Sequence, residues 1–283
     1  MKILLTGRTG QVGSALERAL APLGNLVPLD RSGLDFSNLN SIEEKIARHK
    51  PAIIVNAAAY TAVDRAEQEK ELAFAVNFQA VQELARAAKS LDALLIHFST
   101  DYVFDGEKTA PYVETDTPLP LGVYGESKLA GERAIAASGC RHFIFRTSWV
   151  YGPGGRNFVY AILAAAKSVP ELRVVNDQRG APTSSVAIAE AVTGILSAAF
   201  LRDKPSGIYH MSAASETTWH GFAREILGNA KHEVRLTPVS SAEYGAIARR
   251  PKNSLLDNGK LRATLGVELA GWRQGFRAIA GLL

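Results

Sequence analysis

The sequence predicts an α/β protein, with a doubly wound parallel sheet and a smaller C-terminal lobe. Short apolar segments of strand length alternate with longer segments whose apolar residues recur every three to four positions. This alternation is typical of βαβ units, whose right-handed crossovers give a parallel sheet with helices on both faces. In chain order, the predicted strands are residues 3–5, 26–29, 52–55, 94–98 and 143–145, with helices at 11–21 and 66–91.

The second half of the chain is less regular and predicts the smaller lobe. Its expected elements are a helix at about 157–167, a strand near 172–175, a helix at 185–201, a strand at 208–210 and a closing helix from Trp272. No Gly/Ser-rich linker interrupts the chain. We therefore expect the long loops at 102–122 and 148–156 to form walls of a ligand site.

Composition excludes several classes of protein. Of the 283 residues, 47% are hydrophobic and 21% are charged, which is enough apolar material for a large core. No apolar run approaches the roughly 20 residues of a membrane span. Cys140 is the only cysteine, so no intrachain disulfide can form, and we expect a cytoplasmic protein that does not bind membranes.

The charge pattern favours a small anionic ligand. The net charge is +4, and the Lys and Arg residues are scattered among carboxylates instead of forming blocks. This balance suits a diphosphate and does not predict nucleic-acid binding. The six histidines have no metal-binding spacing, so no metal site is predicted.

A glycine-rich turn follows the first predicted strand. Gly7, Gly10 and Gly13 lie between this strand and a helix, where backbone N–H groups and the helix dipole can hold a pyrophosphate. The glycines alone are also compatible with a purely structural turn. Asp30 ends the next strand and can bind an adenosine ribose 2′-hydroxyl, whereas Arg31 can face a 2′-phosphate, so both NADH and NADPH remain open as cofactors.

These features predict a Rossmann-type domain at residues 1–150 that binds the dinucleotide and carries the catalytic residues. Residues 151–283 are expected to form mainly the substrate-binding lobe, although some of their elements can return to the first domain. The Gly-x-x-Gly-x-x-Gly spacing is typical of the extended short-chain dehydrogenase/reductase group.

A tyrosine and a lysine have the spacing of a catalytic pair. Tyr124 and Lys128 share one face of a helix, so the ammonium can stabilise the phenolate and lower the pKa of the phenol. Thr100 follows a predicted strand and therefore lies at the carboxyl edge of the sheet, where ligands bind. We predict that Thr100, Tyr124 and Lys128 are catalytic.

Several segments resemble the dTDP-4-dehydrorhamnose reductase family nearly from end to end. They are residues 56–64, 99–106, 146–152, 176–183 and 249–254. Members of this family reduce the C4 ketone of dTDP-6-deoxy-L-lyxo-4-hexulose with a nicotinamide hydride. The resemblance implies the same reaction here, with a dTDP-4-keto sugar as substrate and NADPH or NADH as cofactor.

The resemblance also implies roles for individual residues. Those along the cofactor are Gly10, Gln11 and Val12 at the pyrophosphate, Asp30 at the adenosine ribose, Asp35 and Phe36 near the adenine, Ala59, Tyr60 and Thr61 after the third strand, and Lys128 at the nicotinamide ribose. Thr100 would polarise the ketone and Tyr124 would donate the proton. The residues facing the sugar nucleotide would be Thr100, Asp101 and Trp149, with Arg249 and Arg250 at the diphosphate.

Two rival functions remain. One is an epimerase or dehydratase of the same extended group, although no glutamate follows Asp101 to support dehydration. The other is a non-catalytic, NADP-binding regulatory subunit like that of methionine adenosyltransferase. The intact Tyr124 and Lys128 pair favours the enzyme.

Assembly can also be addressed through the resemblance. Some bacterial members dimerise around magnesium through carboxylates whose positions here are Ala15, Val186 and Leu282. None of these side chains offers the oxygen ligand that Mg²⁺ needs, and the nearby Glu17 and Glu190 are displaced along their helices. We predict a monomer or a dimer that is not bridged by magnesium.

Overall fold

The computed structural model describes residues 1–198 and 203–283. Its strands are β1 Lys2–Thr6, β2 Asn25–Leu29, β3 Ile53–Asn56, β4 Leu94–Thr100, β5 His142–Thr147, β6 Val150–Tyr151, β7 Glu171–Val175, β8 Arg179–Gly180, β9 Thr183–Ser184, β10 Gly207–His210, β11 Thr217–Thr218 and β12 Arg235–Val239. Its helices are α1 Gln11–Leu20, α2 Ile42–His49, α3 Val63–Ala66, α4 Lys70–Phe74, α5 Ala80–Ser90, α6 Val123–Ser138, α7 Phe158–Ala166, α8 Ser185–Ser197, α9 Trp219–Ala230, α10 Ser241–Tyr244, α11 Gly259–Leu265 and α12 Trp272–Ile279.

A six-stranded sheet forms the centre of the molecule in the order β10-β5-β4-β3-β1-β2. All of its neighbouring strands run parallel, which confirms the predicted fold class. The chain moves to one side of β1 to form β2 and to the other side to form β3. Ligands of such sheets bind at the carboxyl ends of the strands, where this reversal opens a crevice.

Both faces of the sheet are covered by helices. Along β1, Ile3 and Leu5 belong to a core shared with α1 and α8, whereas Leu4 belongs to a core shared with α2, α5 and α6. Successive side chains of a strand point to opposite faces, so a continuous apolar strand supplies both cores. This is why the short apolar segments were recognisable as buried strands.

The second lobe has its own core. Strands β7 and β12 form a parallel pair, and α7, α9 and α12 contribute Ile162, Phe222 and Phe276 to a shared apolar cluster. Elements of the second half also pack against the central sheet: β10 pairs with β5, and Val192 of α8 and Leu261 of α11 belong to the core that contains Leu16 of α1.

The helix predicted at residues 66–91 is wrong as a single element. The structure has α3, α4, a π-helical segment at Ala75–Gln79 and α5 in its place. Tertiary contacts explain the break, because Glu67 accepts a hydrogen bond from the Val123 backbone at 2.9 Å and Glu69 accepts one from the Tyr60 hydroxyl at 2.6 Å. Glu67 thereby caps the N-terminus of α6, which carries Tyr124.

The helix predicted at 185–201 ends earlier, at Ser197, and residues 199–201 of that prediction lie outside the described residues. The other predicted elements are confirmed to within one to three residues. Elements that were not predicted include α2, α9, α10, α11 and β12, together with the two-residue strands β6, β8, β9 and β11. In the described part of the chain, no helix is long and apolar enough to cross a membrane.

Candidate active site

The glycine turn after β1 leaves the N-terminus of α1 open. Gly7 has φ +71°, and a Cβ atom there would lie 2.5 Å from the Ala58 backbone nitrogen. A Cβ atom at Gly13 would lie 2.0 Å from the Gly7 carbonyl oxygen. Glycine is therefore required at both positions, and no acidic residue occupies the first turn of α1. The turn fits a pyrophosphate on the free N–H groups of the helix.

Gln11 connects this turn to the second lobe. Its side-chain oxygen accepts a hydrogen bond from Asn157 Nδ2 at 3.1 Å, and its Nε2 donates to the Arg156 carbonyl at 3.5 Å. Asn157 also caps α7 by accepting a hydrogen bond from the Tyr160 backbone. The side chain of Gln11 is thus engaged between the lobes, while Val12 packs partly against the core beneath the sheet.

The residues after β2 form a polar loop at the edge of the crevice. Asp30 Oδ1 accepts hydrogen bonds from Ser32 and Gly33, with the Ser32 hydroxyl at 2.6 Å, and these bonds lower the pKa of Asp30. Arg31 Nε lies 3.5 Å from Asp35 Oδ1, and the Arg31 side chain is 78% exposed. Because it is so exposed, its guanidinium can move toward a 2′-phosphate. Phe36 is buried in the core and supports the loop from below.

The loop after β3 is held by Asn77 of the π-helical segment. Asn77 Oδ1 accepts from the Tyr60 backbone at 2.9 Å, and Nδ2 donates to the Tyr60 carbonyl and to Ser127 of α6 at 3.0 Å. Ala59 and Thr61, the neighbours of Tyr60, are thereby fixed in the loop that follows the carboxyl end of β3. Asn77 itself is fully buried and lies within the π-helical segment, a feature that is frequent at functional sites.

Thr100, Asp101 and Tyr124 come together at the carboxyl end of β4. The Thr100 hydroxyl donates to Asp101 Oδ1 at 3.0 Å, and it lies close enough to Tyr124 to lower the pKa of the phenol. Burial has the larger effect and raises the pKa of Tyr124 to about 12, with the Asp101 charge acting in the same direction. Tyr124 therefore carries its proton at neutral pH and is suited to donate it. The sequence-based expectation that Lys128 lowers the pKa of this phenol is wrong here, because burial outweighs the other effects and the shift is upward.

Asp101 is buried and only partly satisfied. Its Oδ2 atom has no hydrogen-bond partner among the described residues, and burial raises the pKa of Asp101 to about 6. A buried polar atom without a partner is costly, so an incoming hydroxyl group that donates to it would be favourable. Asp101 thus offers a binding position beside Thr100.

The side chain of Lys128, on α6, contacts the backbone of β4 near the carboxyl end of that strand. Its Nζ atom donates to the Phe98 carbonyl at 2.6 Å and lies 3.2 Å from His97 Nε2. Burial lowers the pKa of Lys128 to about 8, although Glu132 one turn further along acts to raise it. Glu132 is itself held by Arg146 of β5 in a buried ion pair of 2.6 Å.

Trp149, which was predicted to face the sugar nucleotide, packs against a second tryptophan. It has φ +48° and stacks on Trp219 with ring centroids 3.6 Å apart, and a Cβ atom on Gly180 would lie 2.4 Å from its indole. One face of the Trp149 ring is therefore covered by Trp219, which was not predicted as a site residue. Trp219 also donates from Nε1 to Gln178 at 3.1 Å.

The two arginines predicted at the diphosphate differ in their surroundings. Arg250 forms an ion pair with Asp64 at 2.7 Å and also donates to the Ala248 carbonyl, so its charge is already partnered. Arg249 is exposed and forms no ion pair with any described residue. Asp64 lies in α3 after the Tyr60 loop, so the Arg250 pair joins the two lobes.

A cavity of about 720 Å³ is lined by these two arginines and by residues of α7, β7 and α9. Its size is within the range of small-molecule sites. Lining residues that the sequence analysis missed include Phe158, Gln178, Trp219 and Lys252. Gln178 lies in the segment 176–183, so the signal for it was present, whereas isolated aromatic residues such as Phe158 look like ordinary core residues in a sequence.

A glycine turn at the switch point of a parallel sheet, with a threonine at the end of β4 and a tyrosine and a lysine on α6, defines an oxidoreductase of the short-chain dehydrogenase/reductase class. Within this class, residues 1–281 match the family described as the RmlD substrate binding domain. The chain belongs to that family, and the resemblance seen in its sequence motifs is confirmed.

Curated relatives and solved structures agree with this assignment. The chain is 45% identical to a dTDP-4-dehydrorhamnose reductase of Burkholderia thailandensis, with 96% of each chain covered, and 43% identical to one of Escherichia coli, with 98% of this chain and 96% of the relative covered. The crystal structure of a Bacillus anthracis dTDP-4-dehydrorhamnose reductase in complex with NADP has a TM-score of 0.94 and 34% identity, covering 100% of this chain and 99% of that one.

Proposed function

We propose that this chain reduces the C4 ketone of dTDP-6-deoxy-L-lyxo-4-hexulose to give dTDP-L-rhamnose, with NADPH or NADH as cofactor. The observation that carries the proposal is the position of Thr100 and Tyr124 together at the sheet edge, beside the open glycine turn. When bound, the nicotinamide supplies the hydride. The protein must supply the proton and stabilise the charge that grows on the ketone oxygen.

Tyr124 is the proton donor in this proposal. Its O–H proton goes to O4 of the sugar as the C4 carbonyl becomes an alcohol, and Tyr124 is left as a phenolate. Thr100 would support the same oxygen when its hydroxyl proton turns from Asp101 Oδ1 to O4 of the sugar, which stabilises the negative charge of the transition state. The charged form of Lys128 stabilises the phenolate and would hold the nicotinamide ribose.

The cavity suits the nucleotide part of the substrate. Phe158 and Trp219 provide aromatic surface for a base, and Gln178 lies beside them with its amide held by Trp219 and Ser241. Arg249 and Lys252 supply positive charge for a diphosphate. The sugar would then extend toward Asp101, whose free oxygen is ready to accept a hydrogen bond from a sugar hydroxyl.

We assign the cofactor-binding residues as part of the same proposal. Gly7, Gly10, Gln11 and Val12 would hold the pyrophosphate, and Asp30, Arg31, Asp35 and Phe36 would contact the adenosine half. The Ala59 to Thr61 loop would lie along the nicotinamide half. Asp30 has one carboxylate oxygen, Oδ2, left for a ribose hydroxyl after its bonds to the Ser32 loop.

We further propose that the chain works in the cytoplasm without a magnesium-bridged dimer. Its one cysteine, Cys140, is a buried free thiol. Ala15 is buried in the core, Val186 is apolar, and Leu282 is exposed, so these three positions offer no oxygen ligand. Glu17 is held by Arg8 at 2.7 Å, which opposes its use as a substitute.

The test is a cofactor-oxidation assay. Purified protein is given the dTDP-4-keto sugar and either NADPH or NADH, beside the UDP and GDP analogues, and the product is identified by mass and chromatography. Turnover of the dTDP substrate to dTDP-L-rhamnose, with slower reaction of the analogues, supports the proposal. Epimerised or dehydrated product without net cofactor oxidation would favour the rival enzymes of this class.

A further inference from the structure

A chain of buried polar side chains lies behind Lys128. It runs across three neighbouring strands through Thr6 of β1, Asn56 of β3 and His97 of β4, and each of these residues is at most 1% exposed. The Thr6 hydroxyl donates to Asn56 Oδ1 at 2.7 Å, Asn56 Nδ2 lies 2.9 Å from His97 Nδ1, and His97 Nε2 lies 3.2 Å from Lys128 Nζ. The roles assigned so far do not use Asn56 or His97.

The orientation of the Asn56 amide follows from a backbone contact. The Ala58 N–H group donates to Asn56 Oδ1 at 3.1 Å, and a backbone N–H can only donate. Reversing the amide would bring its NH₂ group against this N–H. The atom that faces His97 is therefore the Nδ2 donor, and His97 Nδ1 must be the acceptor.

This contact fixes the tautomer of His97. Burial lowers the pKa of His97 well below its usual value, with the nearby Lys128 charge acting in the same direction, so the ring is neutral. A neutral imidazole carries one proton, and because Nδ1 accepts, that proton lies on Nε2. The Nε2–H group faces Lys128 Nζ, which already donates one hydrogen bond to the Phe98 carbonyl.

The two protonation states of Lys128 fit this contact unequally. An ammonium group has only donors and would meet the donor on His97, whereas a neutral amine has a lone pair that accepts the Nε2–H bond. We propose that Asn56 and His97 are a positioning pair for Lys128: Asn56 fixes the imidazole tautomer, and the Nε2–H group of His97 stabilises the amine form and lowers the proton affinity of the lysine.

The inference deepens the function proposed above and rests on it for its catalytic meaning. A lysine that gives up its proton readily can return one to the Tyr124 phenolate after each reduction, with the ammonium becoming an amine and the phenolate a phenol. His97 then stabilises the amine that remains. Among the described residues, Glu132, which is paired with Arg146, also acts on Lys128 and raises its pKa. Asp101 and Tyr124 are the titratable groups at the reacting end.

The first test measures the tautomer directly in protein without cofactor or substrate. Long-range ¹H–¹⁵N correlation spectra of protein labelled with ¹⁵N-histidine show which ring nitrogen carries the proton, and the His97 signals are identified by their loss in His97→Phe. We expect Nε2–H in the natural sequence. In Asn56→Asp we expect Nδ1–H, because a carboxylate offers His97 only acceptors. An Nδ1–H tautomer in the natural sequence would overturn the inference.

The second test titrates Lys128 itself. The ¹³Cε signal of Lys128, identified by its loss in Lys128→Met, is followed against pH. We expect the midpoint to rise by about one pH unit in His97→Phe, which removes the N–H donor without adding charge, and in Asn56→Asp. If His97→Phe does not fold, Asn56→Asp together with its measured tautomer decides the question.

Thr6→Val is the matched control for both tests. This substitution removes the hydrogen bond from Thr6 to Asn56, but the Ala58 N–H group still fixes the orientation of the Asn56 amide. The His97 tautomer and the Lys128 titration midpoint should therefore remain as in the natural sequence. A midpoint that does not move in either His97→Phe or Asn56→Asp would contradict the inference. Neither readout depends on turnover, so failure of the proposed reaction would be seen separately in the oxidation assay.

Discussion

The Asp64 carboxylate and the Arg250 guanidinium, 186 residues apart in the chain, form a two-bond ion pair that joins the loop after β3 to the second lobe. Asp64 also accepts the Ala248 backbone N–H at 3.0 Å, and Arg250 returns a hydrogen bond to the Ala248 carbonyl. The segment 248–252 that lines the cavity is thereby held in one place beside the Tyr60 loop, which the cofactor is expected to contact.

Asp64→Asn should therefore weaken substrate binding more than it slows the chemical step. Because the pair is only partly buried, its loss is worth about 1 kcal/mol, which corresponds to a KM for the keto sugar raised by roughly threefold to tenfold with kcat nearly kept. Steady-state kinetics measure both values. Glu44→Gln, in the exposed pair with Arg48, is the control, and an unchanged KM in Asp64→Asn would show that the pair does not organise the cavity.

Tyr124→Phe should lower kcat by roughly 10²–10⁴, the usual contribution of a positioned general acid. The affinity for NADPH should stay nearly the same, because the substitution removes only the hydroxyl and keeps the ring that packs near Tyr60 and Phe74. Cofactor titration and thermal unfolding serve as controls for folding. Turnover at the rate of the natural sequence would remove Tyr124 from the role of proton donor.

Arg31→Ala should weaken NADPH selectively, because only NADPH carries the 2′-phosphate that Arg31 can reach. Both cofactors should be accepted by the natural sequence, since Asp30 suits a free 2′-hydroxyl. The measurement is kcat/KM for NADPH and NADH in parallel, with Arg48→Ala as an exposed arginine on α2 for comparison. An equal loss for both cofactors would mean that Arg31 does not contact the phosphate.

The pH dependence of kcat/KM should be bell-shaped. In the proposed reaction Asp101 binds the sugar as a carboxylate, and with a pKa of about 6 it becomes protonated as the pH falls through that value, so the rate should fall. In the proposed reaction Lys128 acts as a cation, and with a pKa of about 8 it loses its charge as the pH rises through that value, so the rate should fall again.

Two variants assign the limbs of this profile. Asp101→Asn should lose the acid limb at a lower overall rate, and Lys128→Arg should lose the alkaline limb, since a guanidinium does not titrate in this range. Because the profiles are measured as kcat/KM, they report the pKa values of groups in the free enzyme. An acid limb that persists in Asp101→Asn would have to belong to another group.

Glu132→Gln should destabilise the fold strongly. The Glu132 and Arg146 side chains are 2% and 1% exposed, so removing one charge leaves the other buried without compensation, at a cost of roughly 3–5 kcal/mol in the free energy of unfolding. Urea unfolding measures it. Glu268→Gln, in the exposed pair with Arg262, should change stability by less than about 0.5 kcal/mol. Similar losses in the two variants would contradict this account of the buried pair.

The sequence predicted the sheet well because each of its strands is apolar on both faces, as Ile3, Leu4 and Leu5 are in β1. The helices after β3 were predicted less well. Glu67 and Glu69 lie in the break between α3 and α4, where they contact α6 and the Tyr60 loop. Those contacts join residues far apart in the chain, and a local pattern carries no signal for them.

The candidate site divides in the same way. Thr100, Tyr124 and Lys128 were predictable because their spacing and their place after a strand are local features. The Trp219 partner of Trp149, the Asp64 partner of Arg250 and the Asn56 and His97 pair behind Lys128 were not, because each lies across a strand or lobe boundary. Only the folded chain brings these side chains together.

Isotope transfer tests the central claim most directly. NADPH deuterated at both hydrogens of its nicotinamide C4 is incubated with the protein and the dTDP-4-keto sugar, and the product is examined by NMR and mass spectrometry. The proposed reduction places one deuterium at C4 of the sugar in dTDP-L-rhamnose, and Tyr124→Phe forms the same labelled product far more slowly. Product without deuterium at C4, or consumption of the sugar with no oxidation of NADPH, would contradict it.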